Sequence, residues 1–185
     1  MCPKFSRQVH RYIALDNLRP IPRNDPTHSF QNVVNRQFII EQKLESKAQR
    51  PLYTFDEILT KVIKERKQTV TEEGCRILLR RGAEKVNGSE RYRFTHDIKL
   101  SIPVAFRFVS DEQSENLGRR IKCPVCVIKG EPGEDYEPRE KFMRAVDIVS
   151  KSAERLEFHL VNGTHHFHLN EPNLVAPIIN KFIDS

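Results

Sequence analysis

The chain has 185 residues, of which 38% are hydrophobic and 30% charged, with a formal net charge of +6. That length can bury a sizeable core, and that balance excludes a disordered chain. The longest apolar runs, such as Phe38-Ile39-Ile40 and Val125-Cys126-Val127-Ile128, are far too short to span a membrane, and Lys and Arg are interleaved with acids rather than gathered into a nucleic-acid footprint.

Met1 to Tyr12 is basic and contains no acid, a composition faintly like a transit peptide. Its apolar positions instead predict a strand over Val9–Leu15, entered from a basic loop. That strand leads into Asp16 and then Arg19-Pro20-Ile21-Pro22, whose prolines forbid an immediate helix. No secretory signal is evident. Residues 1–23 therefore read as a first strand and loop of a core.

Residues 24–117 read as a helical segment. A helix around 28–46 is expected from Phe30, Val33, Val34, Phe38 and Leu44. Thr54-Phe55-Asp56-Glu57 is a capping box, and the run behind it places Ile58, Leu59, Val62 and Ile63 on one face. Thr71 precedes Glu72 and Glu73, whose charges suit a helix N-terminus. That helix turns Cys75, Leu78 and Leu79 inward and is expected to stop at Gly82. Arg76, Arg80, Arg81 and Lys85 share helical spacing and read as a solvated face. Between 86 and 103 the pattern breaks into short turns and extended pieces.

Residues 118–185 alternate strand and helix. Pro124 to Ile128 is an almost continuous apolar run, as in a parallel strand covered on both faces. Gly130-Glu131-Pro132-Gly133-Glu134-Asp135 is a loop, and Pro138 opens a helix carrying Phe142, Val146 and Val149 inward. Leu156, Phe158 and Leu160 alternate as a strand. A final helix, capped by Asn170, carries Leu174, Val175, Ile178, Ile179, Phe182 and Ile183, with Pro177 expected to kink or restart it. Strand, helical insert, strand, helix, strand, helix is the back half of a doubly wound α/β sheet with a lid. Three parallel strands leave one apolar edge unpaired, which predicts self-association or a partner.

Cysteines at 2, 75, 123 and 126 include a literal C-x-x-C, Cys123-Pro124-Val125-Cys126. It leads into a strand, where residues three apart point to opposite faces, so reduced thiols in an intracellular, cytoplasmic setting are expected. Chemistry concentrates in Val161-Asn162-Gly163-Thr164-His165-His166-Phe167-His168, where a strand runs into a Gly turn and three histidines. A metal site built from His159, His165, His166 and His168 would have nitrogen ligands alone, on a loop, and no metal is expected.

The ordered segments "VHRYIALDNLRP", "LYTFDEIL" and "VTEEGCRILLRRGAEKV", "IKCPVCVIKGEPGEDYE" and "EFHLVNGTHHFHLNEPNLVAPIINKFI" resemble the C-terminal part of α/β-hydrolase-fold enzymes, specifically the serine hydrolase-like (kraken) family. The resemblance covers essentially the whole chain. It implies about three parallel strands of the hydrolase sheet with flanking helices, and a helical cap that forms the pocket for a small, ester-like substrate. It implies no cofactor. His165 stands seven residues before Pro172, the family offset for the catalytic histidine, which makes it the expected general base; His166 and His168 are expected to pack or support.

For the acid the resemblance leaves two places. Asp16, at the end of the first strand, matches the related haloalkane dehalogenases and is ranked first. Asp135, with Glu134 beside it, follows the next strand, the commoner arrangement, but Gly133 stands where the usual G-x-x-D pattern has its Asp. A plain turn role for Asp16, bonding its own backbone, is equally open. The nucleophile elbow G-x-S-x-G occurs nowhere in these residues; Ser89 in Asn87-Gly88-Ser89-Glu90 lacks the second Gly. The expectation is a truncated member, nearly inert as this chain. The competing expectation is a non-catalytic binding or regulatory protein that uses the cap and the open sheet edge.

Overall fold

The computed structural model describes residues 9–22, 26–46, 50–66, 69–101, 109–133 and 137–185. In chain order the elements are β1 (Tyr12–Leu15), α1 (Pro26–Glu45), α2 (Phe55–Glu65), α3 (Glu72–Gly82), β2 (Ala83–Lys85), β3 (Tyr92–Phe94), a single 3-10 turn at Ile98–Ser101, and α4 (Asp111–Gly118). They continue as β4 (Val125–Glu131), α5 (Arg139–Ser150), β5 (Leu156–Asn162), α6 (Phe167–Asn170) and α7 (Pro172–Asp184). Two compact units emerge: Met1–Asn24 with Val109–Ser185, and Asp25–Phe108.

The first unit holds the parallel sheet, in the order β1-β4-β5. Tyr12 to Leu15 lie beside Val125 to Ile128, and Val125 to Glu131 lie beside Leu156 to Asn162. Val125, Cys126, Val127 and Ile128 are all fully buried, because successive side chains of the central strand point to opposite, covered faces. Val125 and Val127 pack with Phe142, Ala145, Val146 and Val149 of α5, and Ala14 joins them. Cys126 and Ile128 pack on the other face with Phe167 of α6 and Val175 and Phe182 of α7. The result is an α/β/α layering around one central strand.

The chain before α5 is tied to this unit by polar contacts. Arg19 pairs with Glu137 at 2.7 Å, each side chain 10% exposed, and the buried Ser114 hydroxyl donates to the Pro20 carbonyl at 3.2 Å. Ser110 and Gln113 form a capping box that starts α4, and Glu115 of α4 accepts from Arg144 of α5 at 2.7 Å. The sequence places 24–117 in one segment; these contacts place α4 with the sheet, and the division between units falls at 108/109.

In the second unit, Thr54 and Glu57 complete the capping box of α2, and Thr71 caps α3 by accepting from Gly74 N–H. Ile58, Leu59 and Val62 are buried with Val70, Cys75 and Leu79. Leu78, expected inward, is 37% exposed. Gly82 does not act as a left-handed stop: it is the last residue of α3, and Ala83 passes directly into β2 with an extended backbone. The expected extended pieces form a hairpin in which Ala83 to Lys85 pair with Phe94 to Tyr92, turning through Gly88 at φ +73°. In α1, Ile40 is buried while Phe38 and Leu44, expected on the apolar face, are 60% and 43% exposed. Phe38 stands two residues before Ile40, roughly 160° around the helix, so the two cannot share a face.

The C-terminal helix also differs from expectation. Asn170 ends α6 rather than capping α7, and its side-chain amide donates to Thr164 Oγ1 at 3.3 Å. Pro172 occupies the first turn of α7, where a missing N–H costs nothing, and α7 continues through Pro177 to Asp184. None of the helices among the described residues is long and apolar enough to cross a membrane.

Candidate functional site

β1 stops at Leu15, and the next residue adopts a conformation that few side chains tolerate. Asp16 has φ 65°, the one positive φ outside glycine among the described residues. Its N–H still donates to the Ile128 carbonyl at 2.7 Å, so the residue remains fastened to β4, while Asn17 N–H closes back on the Leu15 carbonyl at 2.8 Å. Asp and Asn are the non-glycine residues best able to occupy this region, and such outliers gather at functional sites. The turn buries the Asp16 side chain completely.

Both carboxylate oxygens are engaged. Oδ1 accepts from Lys129 Nζ at 3.1 Å and from Gly130 N–H at 3.2 Å. Oδ2 lies 2.5 Å from Nδ1 of His165, whose side chain is 23% exposed. The donors come from the carboxyl end of β4 and the histidine from the loop after β5. The group therefore sits where the carboxyl ends of three neighbouring parallel strands meet, the usual place for a site in such sheets.

The His165 loop is built around two glycines and a buried phenylalanine. Gly163 N–H donates to the Glu131 carbonyl at 3.1 Å, and Phe167 N–H to the Thr164 carbonyl at 2.9 Å. A Cβ on Gly130 would stand 2.7 Å from the Gly163 carbonyl oxygen and 2.8 Å from the Phe167 ring; one on Gly163 would stand 2.8 Å from Phe167 Cβ. Phe167 is fully buried and acts as the plug that fixes the loop height. The His165 and His166 rings meet edge to face at 4.8 Å between centroids, and His166 and His168 are 6.2 Å apart.

Of the residues singled out in the sequence, Asp16 and His165 are brought together. Asp135 and Glu134 lie outside the described residues. Ser89 falls in the turn between β2 and β3 of the second unit, where its Oγ accepts from Arg91 N–H at 3.1 Å. No group of three or more His, Cys, Asp or Glu side chains among the described residues is arranged to hold a metal ion. Cys123 and Cys126 are not joined by a disulfide, and burial pushes the Cys126 thiol up to about 11. Lys129 and Gly130 are members of the site that sequence reasoning did not single out. The available signal was a lysine at the end of an otherwise buried apolar strand.

This arrangement, an imidazole whose Nδ1 faces a buried carboxylate, can hold one tautomer and stabilise a proton on the ring. The chain is 27% identical over 181 residues to a probable serine hydrolase of Drosophila melanogaster, covering 97% of this chain and 54% of that protein. It is 26% identical to the human serine hydrolase-like protein 2, covering 97% of this chain and 59% of that one. The chain thus spans somewhat more than half the length of these relatives. Among solved structures, a hypothetical protein of Pseudomonas aeruginosa superposes with a TM-score of 0.74 at 22% identity, over 98% of this chain and 61% of that one. E-2-(acetamidomethylene)succinate hydrolase superposes with a TM-score of 0.65 at 15% identity, over 98% of this chain and 60% of that one. No family model matches the chain.

Proposed function

For a chain of the serine hydrolase-like branch of the α/β-hydrolase superfamily, we propose that these residues supply the base half of an ester-cleaving site, with His165 as general base and Asp16 as the carboxylate that orients it. The observation that carries the reading is the 2.5 Å approach of His165 Nδ1 to a fully buried Asp16 at the strand ends. These residues contain no G-x-S-x-G elbow, so the nucleophilic hydroxyl is to be supplied by polypeptide beyond them.

The chemistry follows from which nitrogen is which. Asp16 keeps the proton on Nδ1, so Nε2 is the nitrogen that takes the hydroxyl proton as the oxygen attacks the ester carbonyl. Nε2 then returns that proton to the departing alcohol, leaving an acyl-enzyme. Water attacks the acyl group with Nε2 again as base, and the acid and free hydroxyl are released. Asp16 stays ionised throughout and stabilises the imidazolium. No cofactor enters these steps. The free cysteines support a reducing compartment such as the cytoplasm.

The test compares two forms. The 185-residue chain is expected not to react with a serine-directed fluorophosphonate, and not to cleave an aryl ester above a His165→Ala control. A longer form carrying the elbow is expected to label, with His165→Ala and Asp16→Asn lowering kcat by about 10²–10⁴-fold or more. Stoichiometric labelling of the short chain at one serine overturns the reading.

A second reading is a non-catalytic binding chain. It is favoured by β1, which among the described residues pairs with a strand on its β4 side alone. Under that reading the chain self-associates or captures a partner through the open edge. Concentration-dependent oligomers by light scattering support it, and a monodisperse monomer at all concentrations counts against it.

A further inference from the structure

Lys129 is the charged residue that the hydrolytic reading leaves without a role. It ends a run of four fully buried strand residues, and its own side chain is only 14% exposed. A lysine that deep is costly unless its charge is met. The register explains what meets it: Leu15 lies beside Ile128, so Asp16 follows beside Lys129, and the turn at Asp16 brings its carboxylate onto the ammonium at 3.1 Å. The ammonium also lies 5.4 Å from the centroid of the Phe142 ring.

Resting on the assignment of His165 and Asp16, we propose that Lys129 is a positioning residue for that pair. It is the standing countercharge of the buried carboxylate and, with Gly130 N–H, holds Oδ1 so that Oδ2 faces His165 Nδ1. A buried carboxylate with no cation nearby would draw the imidazole proton strongly, or take up a proton itself. With Lys129 on the opposite oxygen, part of the carboxylate's charge is met there, and its pull on the Nδ1 proton is tempered. The nearby Arg139 pairs with Glu131 at 3.1 Å and is 64% exposed, too solvated to replace this charge.

The experiment is ¹H–¹⁵N NMR of the folded 185-residue chain at neutral pH. A downfield Nδ1 proton of His165 is expected in the wild type and lost in Asp16→Asn. In Lys129→Met, which keeps the stem and removes the charge, that proton is expected to move further downfield; in Lys129→Arg it stays near the wild-type position. A signal that appears in the wild type but does not move in Lys129→Met overturns the role of Lys129 and leaves the Asp16–His165 pairing intact. A wild-type spectrum without the signal, unchanged in Asp16→Asn, overturns the pairing itself. Should Lys129→Met fail to fold, the Lys129 ammonium resonance decides. It is expected to be protected from solvent exchange in the wild type and to lose that protection in Asp16→Asn, and equal exchange in both overturns the proposal.

Discussion

At the scale of single residues, the site depends on a carboxylate that has no solvent and three donors. Removing it leaves Lys129 and His165 facing a cavity. Asp16→Ala is therefore expected to cost about 3–5 kcal/mol, the range for breaking one side of a buried pair. Adding Lys129→Met to that variant removes the charge that faced Asp16, and a non-additivity of about 1–3 kcal/mol in urea melts is expected as the coupling between the two positions. Gly130 is the second sensitive point. Its Cβ would stand 2.7 and 2.9 Å from the carbonyl oxygens of Gly163 and Thr164, backbone atoms that cannot rotate aside. Gly130→Ala is expected to lose about 2–3 kcal/mol by overpacking and to push the His165 loop away from Asp16, whereas Gly82→Ala, with nothing within 4 Å, is tolerated. Asp16 and His165 were singled out because each stands at a turn after a recognisable strand and because the resemblance places an acid and a base there, while a plain turn role for Asp16 stayed equally open. Lys129 and Gly130 were not, because their importance comes from the pairing of β1 with β4, across more than a hundred residues of intervening chain.

Among the elements, α4 shows why boundaries resist sequence reading. Ser110 and Gln113 form a capping box as regular as that of Thr54 and Glu57, yet only the latter precedes a long apolar face. α4 is eight residues long and is held to α5 by charge, Glu115 accepting from Arg144 at 2.7 Å and Asp111 from Lys141 at 2.9 Å, while Arg119 at its own C-terminus donates to Glu115 at 3.0 Å. Hydrophobic periodicity carries no trace of such a contact. The hydrogen bond from Arg144, followed by that guanidinium's charge and by Arg119, holds the Glu115 carboxyl below the usual value of 4.5. A group whose value is depressed by folding contributes stability that is complete above its unfolded value and is lost as pH falls through the folded one. Glu115→Gln is thus expected to lower Tm slightly near neutrality, where the wild type holds that contribution in full. Below about pH 4.5 its Tm should fall less steeply with acid than the wild type's. Parallel acid limbs for the two proteins, followed by circular dichroism, would show that Glu115 is not linked to folding. The α6–α7 boundary was misread for a different reason: Asn170 is a plausible cap by type, but Pro172 fixes the start of α7 and leaves Asn170 to the Thr164 loop.

For the molecule as a whole, the division into two units has a direct chemical reporter. Each unit has its own buried thiol: Cys126 on the central strand of the sheet, and Cys75 in the helical unit, both without measurable exposure. Burial raises both thiols above the usual 9.0, so neither offers thiolate to an alkylating agent while its unit is folded. The two cores differ in kind. The sheet packs helices on both faces of β4, while among the described residues the helical unit buries Ile40 of α1 and side chains from α2, α3 and their flanks, with a two-stranded hairpin. A two-stranded hairpin contributes little on its own, and smaller cooperative units open first. With pulsed iodoacetamide and peptide mapping across a urea series, Cys75 is therefore expected to become reactive at a lower denaturant concentration than Cys126. The half-exposed Cys123 should label earlier than either, because access rather than unfolding limits it. Coincident curves for Cys75 and Cys126 would show one cooperative transition and refute the independence of the two cores, while the reverse order would place the weaker core in the sheet that carries His165 and Asp16.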